Sequence, residues 1–108
     1  MIYKIEKKLL PKTSQQRVGN MECVKTIVFH EPKCGLDRPS RIFRLNYYVI
    51  RQWIRGVFKT GSVGFHYIVD DKHIVQLIDD NIYTYHCGNP NINTCSIAVE
   101  RVGCKTID

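Results

Sequence analysis

From Val63 to Arg101 the chain reads as short apolar runs set between polar turns: VGFHYIV, then DDKH, then IVQL, a polar excursion carrying YHCG, and finally SIAVER. Short runs rich in valine, isoleucine and aromatic residues, bounded by turn residues, are strand signals, so this stretch commits the chain to building a sheet. It also sets His66, His86 and Glu100 among those strands. Ionisable groups on apolar strands either find buried partners or serve a site.

Upstream, Lys25–His30 (KTIVFH) is a further strand, closed by Glu31-Pro32, where proline discourages continuation of a ladder. His30 is thereby expected at a strand end, beside a loop. A helix is expected over Ser40–Phe58, with Ile42, Phe43, Val49, Ile50, Trp53, Ile54 and Val57 at helical spacing, and Arg41, Arg44, Arg51 and Arg55 mostly on other faces. Such an amphipathic helix packs on a sheet. Val63–Val69 and Ile74–Leu77 are expected to pair as a hairpin, with His73 at its turn and exposed to solvent. Residues 78–94 read as mostly irregular, and Met1–Asn20, with Pro11, Gly19 and Asn20 as breakers, as a surface arm.

A chain of 108 residues is expected to form a single domain, here an arm over 1–24 and a core over 25–108. Sixteen Lys and Arg against ten Asp and Glu give a net charge of +6, which favours polyanionic partners: nucleic acid, an anionic membrane or the acidic polymers of a bacterial wall. Phe43, Tyr47, Tyr48 and Trp53 stand beside arginines, as in surfaces that stack bases, but aromatic residues at helical spacing ordinarily fill a core. No nucleic-acid partner is expected. No run approaches the roughly 18 apolar residues of a membrane span. Five cysteines, an odd number with no CxxC pair and no secretory signal before them, point to a reduced chain made in the cytoplasm.

The residues with chemistry to offer are His30, His66, His86 and Glu100. Hydrolytic zinc takes three protein ligands, usually His with Cys, Asp or Glu, and keeps a position for water, from which a nearby carboxylate removes a proton. The spacing here is scattered and contains no HExxH-type pair. A Cys87–His66 nucleophile pair is the competing arrangement, without a local signature to support it.

The succession LLPKTSQQRVGNMECVKTIVFHEP, a helix, VGFHYIVDDKHIVQLIDDN, YHCGNP and SIAVERVG resembles the zinc-dependent N-acetylmuramoyl-L-alanine amidases that share a fold with peptidoglycan recognition proteins, and most closely their phage and bacillus endolysins. The likeness runs from Leu9 to Gly103. It implies an α/β domain: a mixed central β-sheet with flanking helices. By the resemblance His30 is a zinc ligand, Glu100 acts on the water, and Phe65, His66, His86 and Gly88 line the substrate groove. Phe65 stands where some relatives carry a catalytic tyrosine, which favours a glutamate-dependent mechanism. YHCG keeps the histidine and glycine of the family's Trp-His-Ala-Gly loop, and Glu31-Pro32 replaces its usual Asn-Thr.

The implied substrate is the amide between N-acetylmuramic acid and L-alanine in cell-wall peptidoglycan, reached after release from the cytoplasm. The family's second and third zinc ligands follow a further helix that this chain lacks, so the C-terminal part of the fold is expected to be missing. Self-association through the uncovered sheet face is the expected consequence, and a non-catalytic peptidoglycan-binding module the alternative function.

Overall fold

The computed structural model describes residues 4–10, 19–30, 41–58, 64–70 and 72–102, with the side chains of the helix described from Leu45 to Ile54. Their order is β1 (Ile5–Lys7), β2 (Gly19–Asn20), β3 (Thr26–His30), α1 (Arg41–Phe58), β4 (Tyr67–Val69), β5 (Ile74–Gln76), β6 (Ile82–Tyr83), α2 (Pro90–Asn93) and β7 (Ser96–Arg101). Five strands form one sheet in the order β1-β5-β4-β7-β3, while β2 and β6 pair separately and antiparallel. Only β4 and β5 run antiparallel within the large sheet; β1–β5, β4–β7 and β3–β7 are parallel. The fold is therefore α/β with a mixed central sheet, as expected.

The hairpin closes locally. Asp70 Oδ1 accepts from the backbone N–H groups of Lys72 (2.8 Å) and His73 (2.6 Å), a side-chain mimic of a turn. The His73 ring lies 3.2 Å from the same carboxylate and its side chain is 31% exposed, so it is half-buried against Asp70 and not free in solvent as expected. Residues 78–94, expected to be mostly irregular, contain β6 and the short α2. Asn89 starts α2 by accepting from the N–H groups of Asn91 and Ile92, with Pro90 where a missing N–H costs nothing.

Side chains that sit side by side across strands share a face. The register aligns His30 with Glu100, Glu100 with Ile68, and Ile68 with Val75, so these four residues share one face of the sheet. On that face Ile68, Val75 and Val102 pack with Leu45 and Val49 of α1 in the main core. Leu45, Val49 and Gln52, one helical stripe, point inward, whereas Ile50 and Ile54, expected on the apolar stripe, are exposed. The helix and the His30–Glu100 pair therefore occupy the same side of the sheet. The opposite face carries Ile27 and Phe29 of the edge strand β3, 56% and 59% exposed, with the Arg101 guanidinium 5.9 Å from the Phe29 ring centre.

The N-terminal segment is more than a surface arm. Ile5–Lys7 adds β1 to the sheet edge, Lys8 and Leu10 donate backbone hydrogen bonds to Gln76 O and Leu77 O, and the Trp53 indole donates to Lys8 O. Leu10 is buried in the core cluster. Composition marked the segment as polar and broken, yet one leucine and a row of unpaired β5 backbone groups are enough to dock it. Leu10→Ala is expected to lower unfolding free energy by about 2–4 kcal/mol, read from urea midpoints; a change well below 1 kcal/mol would return the segment to the surface.

Candidate active site

Parallel pairing of β3 with β7 delivers His30 and Glu100 to one face, in register, at the C-terminal ends of their strands. Open α/β sheets expose their ligand-binding clefts at that edge. Glu100 is buried, 6% exposed. His30 is half-buried, and the Phe65 ring packs on it with centroids 5.3 Å apart.

Opposite His30 stands His86. His30 Nε2 and His86 Nδ1 are 2.9 Å apart, and His86 Nε2 lies 2.9 Å from Ser96 Oγ at the start of β7. Each nitrogen contact needs one proton, so the Ser96 hydroxyl and the two rings form a single chain of hydrogen bonds whose tautomers are set together. The loop carrying His86 is held by Asn93, whose Oδ1 accepts from the N–H groups of His86 and Cys87, both at 3.2 Å. Gly88 follows at φ +73°, in the left-handed region that a side chain would strain, and lets the chain turn into the Asn89 cap.

His66 lies near these groups but turns both ring nitrogens to backbone partners. It is fully buried; Nδ1 accepts from Ala98 N–H at 3.0 Å, and Nε2–H therefore donates to Ile82 O. With both nitrogens used inside the core, His66 ties β4 to β7 and β6 and presents no polar atom to a substrate, which corrects its expected place in the groove. The same contacts argue against the alternative Cys87–His66 pair, and Cys87 Sγ lies against Asn93 Oδ1 at 3.0 Å. Ser96 and Asn93, which hold the His86 loop, were not anticipated; the only sequence signal was their position at the end of an Asn-rich turn.

Burial pushes the His30 and His66 imidazoles below their ordinary range, and His86 is pushed down to about 4 by burial first and then by His30 and His66. All three are neutral at pH 7. For His66 and His86 the unfolded chain binds more protons than the folded one below about pH 6.5. The stabilisation is fully present above that pH; the His86 share is lost as pH falls towards 4, and the His66 share is lost in the same direction. In metal-free protein His86 contributes at most about 3 kcal/mol to that total loss, and less to the extent that solvent screens its ring. Urea unfolding at about pH 7 and about pH 4.5 measures it, and His86→Asn is expected to flatten the difference.

Comparisons with known proteins follow the same lines. The family model described as N-acetylmuramoyl-L-alanine amidase matches residues 20–107. Among solved structures, a mutant endolysin from Bacillus subtilis superimposes with a TM-score of 0.71 at 22% identity, covering 93% of this chain and 61% of its own. PlyL gives 0.67 at 28% identity, covering 90% and 56%. The Staphylococcus aureus hydrolase AmiA, in complex with its ligand, gives 0.70 at 15% identity, covering 98% and 47%. The chain thus spans about half to three-fifths of the length of these structures. No curated protein sequence matches. With His30 and Glu100 in register at the sheet edge, and with the family model covering most of the sequence, the chain belongs to the N-acetylmuramoyl-L-alanine amidase family.

Proposed function

We propose that this chain carries part of the catalytic centre of a peptidoglycan amidase that hydrolyses the amide between the lactyl group of N-acetylmuramic acid and L-alanine of the stem peptide. The observation that carries the reading is the register of His30 beside Glu100 on the face shared with α1, within a chain of the amidase family.

The donor chemistry suits zinc. His30 is neutral at pH 7 and half-buried at the end of β3, so its imidazole can offer a nitrogen lone pair to a metal. His30 is the residue that would hold the ion. Bound there, zinc supplies a Lewis acid that polarises the scissile carbonyl and acidifies water. Glu100 takes the proton from the attacking water and returns it to the departing L-alanine amine. His86, anchored by Ser96 and Asn93, orients the His30 ring; with both of its nitrogens engaged it reaches substrate only if that contact opens. Phe65 and the exposed Gly88 flank the approach and are assigned to substrate contact.

Among the described residues no three His, Cys, Asp or Glu side chains are grouped to hold a metal. Zinc affinity comes from assembling several deprotonated ligands in fixed geometry. The 108-residue polypeptide by itself is therefore expected to retain zinc weakly on dialysis and to release no new amino termini from purified wall. The exposed Ile27 and Phe29 side chains give it a tendency to self-associate, read as mass in solution. A monomer that keeps one zinc and cleaves wall would overturn this expectation and assign the remaining ligands to the chain itself. A longer protein containing the chain that binds wall, retains zinc and still cleaves nothing would be a binding module instead.

A further inference from the structure

The strands that carry His30 and Glu100 are each preceded by a thiol, and the two sulfurs, Cys23 Sγ and Cys95 Sγ, are 3.8 Å apart. The backbone holds them there. Glu22 N–H donates to Thr94 O at 3.1 Å and Lys25 N–H to Cys95 O at 2.9 Å, so hydrogen bonds flank Cys23 on both sides. The parallel ladder begins one residue later, with Thr26 beside Ser96. Cys95 is fixed in turn by its own N–H, which donates to Ile92 O at 3.1 Å. Cys87, the other described cysteine, turns its sulfur towards Asn93.

We propose that Cys23 and Cys95 form a disulfide site that clamps β3 to β7 when the protein meets an oxidising small-molecule disulfide such as oxidised glutathione. Cys23 is exposed and takes the first step; Cys95 is half-buried and resolves it. The Cys23 thiolate attacks one sulfur of the glutathione disulfide and expels one glutathione thiolate. The Cys95 thiolate then attacks the Cys23 sulfur of the mixed disulfide and expels the second. One protein S–S bond forms, the glutathione S–S bond breaks, and the two protons lost by the protein thiols end on two glutathione thiols. The adjacent Cys95 thiol holds the Cys23 thiol above its ordinary range, so the exchange quickens as pH rises.

The clamp has structural leverage. β3 is an edge strand whose only strand partner among the described residues is β7, and the bond would close a loop between residues 72 positions apart. Long closed loops remove the most entropy from the unfolded chain. The link would hold the lead-in to both strands and so keep His30 beside Glu100.

The test is equilibration of the purified chain in a graded glutathione buffer, alkylation of the remaining thiols, and peptide mapping. An intramolecular link between the peptides bearing Cys23 and Cys95 is expected, with a thermal midpoint raised by on the order of 10 °C and restored on reduction. Cys23→Ser and Cys95→Ser, each tested separately, should lose both the link and the rise while folding normally when reduced. Glutathione left on Cys23, a link to Cys34, Cys87 or Cys104, or a link between two chains would overturn the site. The expected link without a rise in midpoint would overturn the clamp.

Discussion

Replacing Glu100 by glutamine is expected to lower turnover of purified cell wall by about 10²–10⁴-fold in an active protein that contains this chain, with zinc content and wall binding close to wild type. Glutamine keeps the shape of the side chain, which matters at a position 6% exposed in the middle of the sheet's parallel ladders. It keeps an acceptor oxygen as well. What it cannot do is take a proton from water at any working pH. The loss should appear in kcat, because proton transfer is made in the transition state and not in binding. Undiminished turnover would remove Glu100 from the mechanism.

Replacing His30 by alanine is expected to abolish stoichiometric zinc in the same protein, with affinity falling by more than roughly 10²-fold, since even a group that merely orients a ligand is worth about 10–100-fold. The fold should survive. His30 is half-buried at the end of an edge strand, outside the main core cluster, and its loss removes one contact to His86 and one to Phe65. His86 would keep its Ser96 contact and its loop would keep Asn93. Zinc bound at full stoichiometry alongside a collapsed melting temperature would make His30 a structural histidine and end the ligand assignment.

Strands β3, β4, β5 and β7, the helix and the hairpin were legible in the sequence because each depends on local pattern: KTIVFH and SIAVER as apolar runs, Ser40–Phe58 as a helical repeat, and DDKH as a turn, whereas β1, β2 and β6 lie in stretches that read as arm or irregular. The identities of His30 and Glu100 as strand-end and strand residues followed from the same runs. Their adjacency did not. Nothing within either run says that β3 lies parallel to β7 with residue 30 opposite residue 100; that register comes from burying Ile97, Ala98 and Val99 while α1 covers the other strands.

His66 and His86 show where sequence reading stops. Both are single histidines in polar-apolar contexts, and both resemble groove residues of the family. One has its two nitrogens consumed by Ala98 and Ile82, whereas the other meets His30, and the difference is a matter of which backbone groups and side chains the packed fold brings within about 3 Å. Leu10 was misplaced for a related reason: a leucine in a polar arm has no periodicity of its own, and only the edge of β5 and the core cluster that contains Leu77 decide that it is core. Local pattern thus determined four of the strands, the long helix and the histidines and glutamate with chemistry to offer. The tertiary structure alone decided which of those residues meet, because hydrogen-bond partners and burial are long-range properties of the packed chain.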